Sequence, residues 1–521
     1  MSKNKSHYLQ LITKKNKSKK IKQLIPSLLI ALTFMSCGKN VENKSEMRTI
    51  DVQTSMDETA QSMLSDSTIT SVSIGILKDG IAYTSHYGEL DSGKGNTPND
   101  ETIYEIASVT KTITGTLVAQ AVVDGKLNLD DDIRKYLKDD YPNFQYKNKV
   151  ITIKDLVTHT SRLPANIPGF EDAFKKGGNN WLKFGQEVEK AMKNYNKEKF
   201  FDQLKNAVLD TIPGVIYEYN NLAPNLMAHV LENVYQKSFD ELLNEFIFEK
   251  NGMTSTKMRL SEDEQIRLAN GYDGKGNRMP YSPVSTWGAD GGLKSTTADL
   301  VKYMELHLDT TNAAAVESHR LNFTVHSNFS LGYYWNIGNN DDGTIHYSHH
   351  GGGMGMQNVF YVYPAYNMAV SIITNASTQV TGDLLHRAAR RLSNDLKPNG
   401  KKSIEEEIRA KTMQNVDEGI ALYHQLKKDN IDAYDFENQN ALNNLGYELL
   451  SKNKVEEAIK IFTLLVSEFP KFPNPYDSLG EAYFINKEYE LALKNYKISL
   501  ELNPNNTTAD EMIDKIEKII Q

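Results

Sequence analysis

Apolar and polar positions change rhythm several times along this chain. In Thr68-Ile69-Thr70-Ser71-Val72-Ser73-Ile74-Gly75-Ile76-Leu77 apolar residues recur at every second place, the period of a strand. Lys78-Asp79-Gly80 supplies turn chemistry, and Ile81 to Gly88 returns as a second strand. From Ser108 to Asp124 the residues Ile113, Leu117, Val118, Ala121 and Val122 leave little polar surface, so that stretch predicts a buried central helix capped by Gly125. Residues 165–210 are polar with helical spacing. Phe184, Val188 and Met192 share one stripe, which predicts a helical subdomain packed on the core. Strand pattern returns in Phe329 to Ile337 and Thr344 to Tyr347, which flank the turn-forming Asn339-Asn340-Asp341-Asp342-Gly343. It continues in Asn358 to Pro364 and Met368 to Thr374. Strands at both ends of a long helical middle predict an α+β fold with one mainly antiparallel sheet flanked by helices.

Around Leu396 to Lys402 the composition turns polar, and the helical pattern beyond repeats itself. Leu445-Gly446 recurs as Leu479-Gly480, Ala458 as Ala492, Phe462 as Tyr496 and Pro470 as Pro504. The shared spacing is 34 residues. That period and pattern resemble the tetratricopeptide repeat, a helix pair whose apolar face is covered by stacking. The resemblance implies an all-α repeat domain over 415–521 after a linker over 396–414; a protein partner for it and a purely structural helical domain both stand open, since repeats alone name no ligand. A helix from about Ser403 to Lys428 reads as a degenerate third repeat or a cap. Ala509 to Ile520 reads as the other cap.

The 521 residues exceed one ordinary core, and 39% hydrophobic with 24% charged residues fits globular domains. A formal charge of −8 gives no footing for nucleic acid, and the twelve histidines show no zinc spacing, so neither a metal nor another cofactor is expected. The single cysteine permits no internal disulfide. Its place is informative. Lys14, Lys15, Lys17, Lys19, Lys20 and Lys22 precede an apolar run from Leu24 to Met35, followed by Ser36 and Cys37. This is the layout of a secretory signal, too short for the ~20 residues that span a bilayer. Phe34-Met35-Ser36-Cys37 resembles a lipobox, with Phe34 where Leu or Val is usual. Residues 1–37 are therefore expected to be a lipoprotein signal with Cys37 as lipid acceptor, and 38–56 a flexible tether. The expected location is a bacterial cell envelope, with the protein held to a membrane through that lipid.

Candidate chemistry centres on Ser108 and Lys111 in Glu105-Ile106-Ala107-Ser108-Val109-Thr110-Lys111. Three residues apart on a helix, serine and amine are neighbours, and a serine hydroxyl needs a base within hydrogen-bond reach. Ser-x-x-Lys also occurs at Ser2 and Ser451, so the motif alone carries little. Two further triplets follow in order, Tyr219-Asn220-Asn221 and His349-His350-Gly351, the latter inside His349-His350-Gly351-Gly352-Gly353-Met354-Gly355. Between them stand Gly125 to Asp131, Ile151 to Ser161 and Gly291 to Leu300.

Taken together, the stretch from about Val72 to Arg391 resembles the serine beta-lactamase and penicillin-binding superfamily. Within that superfamily it resembles the branch of class C beta-lactamases, D-Ala-D-Ala carboxypeptidases, D-aminopeptidases and related esterases. The resemblance implies a hydrolase domain over 57–395 in which Ser108 forms an acyl-enzyme, with Lys111 and Tyr219 sharing the work of deprotonation. Asn221 would hydrogen-bond the substrate or hold Lys111. His349 and Gly351 would line the facing strand, and the backbone N–H groups of Ser108 and Gly352 would form an oxyanion hole. Glycines there would let a substrate approach the backbone. Histidine stands where many relatives have lysine, which fits peptidases and esterases better than a dedicated beta-lactamase. The His349-His350 doublet allows two registers. His159 is expected to make a structural hydrogen bond, and Arg162 stands where glycine is frequent. The expected function is an envelope-anchored serine hydrolase of D-amino-acid peptides or small esters. The alternatives are a class C-like beta-lactamase and a non-catalytic scaffold lipoprotein acting through its helical repeats.

Overall fold

The computed structural model describes residues 51–520 except 179, 285, 327 and 399. The signal segment, Cys37 and most of the expected tether lie outside the described residues. Among the described residues no helix is long and apolar enough to cross a membrane.

Eight antiparallel strands form the central sheet: β1 (Ser71–Lys78), β2 (Ile81–Gly88), β3 (Phe323–His326), β4 (Phe329–Leu331), β5 (Asn336–Asn339), β6 (Ile345–Gly352), β7 (Gln357–Tyr363) and β8 (Met368–Thr374). Their spatial order is β2-β1-β8-β7-β6-β5-β4-β3, so the first hairpin joins the last strand through pairs such as Ser73 with Ile373. β8 is buried along its whole length because both faces are covered. On one face lie α1 (Val52–Leu64) and α8 (Thr381–Leu396), whose Met56, Ala60, Leu385 and Leu392 pack on Val72, Ile74, Val370 and Ile372. On the other lies α7 (Thr297–Leu308), and α2 (Thr110–Val123) and α6 (Leu222–Tyr235), packed on each other, continue the same core around Ile113, Leu117, Leu226 and Leu300.

α2 is buried almost throughout, yet carries four threonines. The hydroxyls of Thr112, Thr114 and Thr116 reach carbonyls one turn back, at 2.8, 3.2 and 2.9 Å, so their burial leaves few unmet polar groups. Gly115 is required where this helix meets the turn between β4 and β5, since a Cβ there would lie 2.1 Å from the Tyr333 carbonyl oxygen.

Several expected boundaries shift. Val52–Met56, placed in the tether, are helical, because Asp51 caps α1 by accepting the Thr54 N–H at 3.2 Å. The single strand expected over Phe329 to Ile337 is two, β4 and β5. Between them Gly332 N–H meets the Trp335 carbonyl at 2.9 Å, and Tyr334 adopts φ +62°. Burying Tyr333, Tyr334 and Trp335 together requires that turn. The expected linker over 396–414 contains α9 (Ile404–Gln414), and the helix expected to about Lys428 restarts as α10 (Val416–Asp429). Asn415 divides them by accepting from the Asp417 and Glu418 N–H groups.

Five further helices complete the C-terminal region: α11 (Gln439–Ser451), α12 (Val455–Glu468), α13 (Pro473–Ile485), α14 (Tyr489–Leu502) and α15 (Thr507–Ile520). Gly446 of α11 abuts the Phe462 ring of α12, and 34 residues later Gly480 of α13 abuts the Tyr496 ring of α14. The repeat read in the sequence is thus a repeat of one helix-pair contact. This region docks on the sheet domain. Glu448 receives Arg409 (Nε to Oε2 2.7 Å) and Arg387 at 3.3 Å, and Lys402 meets Glu58 at 3.2 Å. Asp341, at the tip of the β5–β6 hairpin, accepts from Asn438 and Asn440 at 2.6 and 2.8 Å.

Candidate active site

Ser108 lies in a 3-10 turn, Ala107–Val109, that opens directly into α2. Ala107 before it has φ +42°, a left-handed conformation unusual for a residue with a Cβ. That turn carries the serine to the edge of the sheet. Lys111 Nζ donates to Ser108 Oγ at 3.1 Å and to the Asp290 carbonyl oxygen at 2.5 Å. The whole of Lys111 is buried, so these two oxygens fix the position of its Nζ. Tyr219 Oη donates to Ser108 Oγ at 2.9 Å, and Lys111 Nζ stands 4.9 Å from the centre of the Tyr219 ring. The three side chains form one connected group.

The Tyr219 loop is anchored by its neighbours. Asn220 is buried; its Oδ1 accepts the Ala223 N–H at 2.7 Å, while its Nδ2 donates to the Leu163 carbonyl at 2.7 Å. The Asn220 N–H donates to His159 Nδ1 at 3.1 Å, which places the His159 proton on Nε2. The His159 ring lies 4.7 Å from the Tyr219 ring and its carbonyl accepts the Glu218 N–H. Burial holds this imidazole neutral, far below its ordinary pKa, with the Lys111 charge adding to the effect. His159 is a buttress. Arg162 adopts φ +62°, the geometry that favours glycine there, and forks onto Asp210 at 2.9 and 2.7 Å while reaching Glu218 at 2.7 Å. It ties down the residue beside Tyr219.

Asn221 does not hold Lys111. Its Nδ2 donates to Asn166 Oδ1 at 2.7 Å, and the amine is held by Asp290 instead. Asn225, one turn along α6, braces Asp290, with its Nδ2 2.8 Å from Asp290 Oδ1 and 3.0 Å from the Asn221 carbonyl. Asp290, Asn225 and Asn166 were not read from the sequence. They belong to no short motif, and only the helical spacing of Asn221 and Asn225 hinted at one of them.

Strand β6 supplies the opposite wall. Successive side chains point to opposite faces, so the doublet divides. His349 sits 6.3 Å from the Tyr219 ring, whereas His350 bonds Gln357 at 3.1 Å and faces His386. The register is therefore His349-His350-Gly351. His349 Nδ1 lies 2.9 Å from the His350 carbonyl, and burial pushes its pKa down to about 3. A Cβ on Gly351 would lie 2.4 Å from the Ile106 carbonyl, so this glycine serves the packing of β6 on the serine turn, not substrate approach as expected. On Gly352 it would meet nothing nearer than the His350 ring at 3.6 Å, on the face of β6 turned away from Tyr219. Gly353 N–H bonds the Met356 carbonyl at 2.8 Å, so by alternation the Gly352 N–H points to the other edge of β6, which β5 stops covering at Ser348. Among the described residues no three His, Cys, Asp or Glu side chains converge as metal ligands.

A helical hairpin closes one side of the site: α3 (Phe170–Gly177) and α4 (Trp181–Lys193), followed by α5 (Lys197–Lys205). Trp181 Nε1 donates to the Met354 carbonyl at 2.7 Å, and Phe184 and Val188 cluster with Met354 and Met279. The helical subdomain thus rests on the loop that follows Gly353.

With this geometry in view, the likeness to known proteins has a physical basis. Protein flp of Staphylococcus aureus (strain N315) is 26% identical over 357 residues, 66% of this chain and 68% of that protein. A beta-lactamase of Pseudomonas fluorescens is 26% identical over 259 residues, 50% of this chain and 65% of its own length. Among solved structures, the beta-lactamase/D-alanine carboxypeptidase from Yersinia pestis superposes with a TM-score of 0.56 at 23% identity, covering 66% of this chain and 98% of that one. The class C beta-lactamase from Rhodobacter sphaeroides gives 0.53 at 19%, with the same coverage. Both show the fold. The family model described as Beta-lactamase matches residues 56–394, a span that contains Ser108, Lys111, Tyr219 and His349, and the chain belongs to that family.

Proposed function

We propose that this protein is a serine hydrolase that transfers acyl groups from small esters or D-amino-acid peptides to Ser108 and then to water. The observation that carries this reading is the contact of Ser108 Oγ with both Tyr219 Oη and Lys111 Nζ, at 2.9 and 3.1 Å. Ser108 attacks the substrate carbonyl as its proton passes to the Tyr219–Lys111 pair, which accepts it when one of the two is deprotonated, and the leaving group departs with that same proton. Water then attacks the acyl-enzyme by the same route and releases the acid. The N–H groups of Ser108 and Gly352 receive the oxyanion, each such donor being worth ~10²–10³ in rate in other acyl-transfer enzymes. Neutral His349 in the third motif favours this substrate class. Beta-lactam hydrolysis is the second reading, favoured by the Pseudomonas fluorescens relative.

The deciding experiment is intact-mass measurement after treatment with a fluorophosphonate and with a labelled penicillin. One adduct on the parent and none on Ser108→Ala is the expected result; absence of any adduct on the parent would favour a scaffold. Turnover of a chromogenic cephalosporin distinguishes the second reading. The proposal places the protein at a cell envelope through lipid on Cys37, with a protein partner for the tetratricopeptide-like helices. Cys37→Ser is expected to move it from the membrane to the soluble fraction on ultracentrifugation, and unchanged membrane association refutes the anchor.

A further inference from the structure

The face of the sheet turned away from Ser108 has a cleft of its own, of about 170 Å³. Its floor is His346 of β6 with Tyr361 and Tyr363 of β7. Alternation and the pairing of Ser348 with Tyr361 put these side chains on the face opposite to His349. One wall is a stripe of α8, where His386, Arg390, Ser393 and Asn394 follow at helical spacing, with Lys397 just past the end of the helix. The other wall is the β5–β6 hairpin from Asn339 to Asp341.

Arg390 is the odd member of its helix. Arg387 pairs with Glu448 at 3.3 Å, and Arg391 with Glu58 at 2.6 Å. Arg390 is partly buried, yet among the described residues it makes no ion pair and no hydrogen bond. Its charge acts on uncharged groups of the cleft, the Tyr361 and Tyr363 phenols and the His386 ring. It acts on Glu405 too, but that carboxyl accepts from Asn444 and makes no ion pair with the guanidinium. Lys397 meets Asp435 only at 3.8 Å. Asp341 is exposed to water, and Asn438 and Asn440 donate to its two oxygens. A guanidinium partly withdrawn from water without a carboxylate costs free energy that an anion in the cleft would recover. The hydroxyl and amides around it suit a hydroxylated ligand body, not an apolar one.

We propose that this cleft binds a small hydroxylated acid, an oxyanion (carboxylate or phosphate) on a hydroxyl-bearing body. Arg390 forks onto the oxyanion, Lys397 adds a second positive charge, and Ser393 and Asn394 bond the hydroxyls. The site stands apart from the acyl-enzyme chemistry and does not depend on it.

Calorimetric titration of the full chain with glycerate, glycerol phosphate and uncharged glycerol tests this. Saturable binding of one or both acids and none of glycerol is expected, and the acid that binds assigns the oxyanion. Arg390→Gln should weaken that binding by about tenfold or more, the usual worth of hydrogen bonds to a charged group. Ser108→Ala should leave it unchanged. Because Arg390 has no partner to lose, Arg390→Gln without ligand should keep the melting temperature in place, whereas Arg387→Gln, which gives up Glu448, should lower it. Failure of both acids to bind at tens of millimolar overturns the proposal, as does binding that survives Arg390→Gln or that glycerol matches. A melting temperature lowered as far by Arg390→Gln as by Arg387→Gln makes Arg390 a structural residue and overturns it as well.

Discussion

Ser108 has two polar neighbours that can be separated by substitution. Tyr219→Phe removes the oxygen and keeps the ring against His159, so kcat for an ester should fall by about 10²–10⁴ while KM changes little. The adjacent glycines of β6 separate in the opposite sense. Gly351→Ala drives a methyl into the Ile106 carbonyl and should destabilise the fold by about 1–3 kcal/mol, read as a shift in the urea midpoint. Gly352→Ala places its methyl in open space on the His350 face and should leave both the midpoint and KM in place. At this scale the motif residues were legible because they recur in a fixed order. The residues that hold them were not. Asp290 contributes a backbone carbonyl, which any residue type would supply, and Asn166 acts from a loop whose approach to Asn221 is set by distant packing.

Whole elements were easiest to read where one period ran unbroken, as in β1, β2 and α2, and hardest where aromatic anchors interrupt it. Phe329 to Ile337 looks like one strand because its residues are β-formers. It folds as two because Tyr333, Tyr334 and Trp335 all turn inward. Arg162 teaches a related lesson about the Tyr219 loop. A left-handed residue is read as glycine's place, yet here an arginine holds it and gains partners on both flanks, Asp210 and Glu218. Arg162→Gly should relieve the backbone and still lower kcat by up to about tenfold, because the loop presenting Tyr219 loses its tie. Raising the salt concentration on the parent should move kcat the same way, since Asp210 and Glu218 lie in water.

For the whole molecule, the docking of the C-terminal helices decides where the chain can be divided. Ile404 and Ile408 of α9 are buried among the C-terminal helices. A cut after residue 414 leaves that apolar face bare, whereas a cut after Leu396 removes it together with its partners. The shorter protein should remain monodisperse by light scattering and retain ester turnover within about twofold, since none of the groups touching Ser108 comes from the array. It should melt earlier through loss of the Arg387–Glu448 and Lys402–Glu58 ion pairs. Acid should act on the molecule at large. Burial holds His159, His307, His319, His346, His349 and His386 neutral in the fold, with His319 and His349 at about 3 and His346 and His386 at about 4. Unfolded histidine titrates near ~6.5, so below that pH the unfolded chain binds protons that the fold does not, and stability falls as pH falls. Glu105 and Glu405, raised to about 7, and Asp395, to about 6, oppose this by taking up protons in the fold, but they are fewer. The melting temperature should be flat above about pH 7 and drop steadily below about 6; a rise on acidification would contradict the neutral imidazoles.

The pairing of β1 with β8 has a consequence for how the chain reaches this structure. Ser73 and Ile373 are roughly 300 residues apart, and on a ribosome the first hairpin is finished long before its partner strand exists. Closing such a loop costs only about 5 kcal/mol of chain entropy, so the delay is one of kinetics. Until β8 emerges, β1 has an open edge and α1 lacks α8 beneath it, a long interval in which the nascent hairpin can pair with a neighbouring chain. High contact order of this kind marks slow folders. Holding this segment unpaired until synthesis is complete is therefore a task for chaperones.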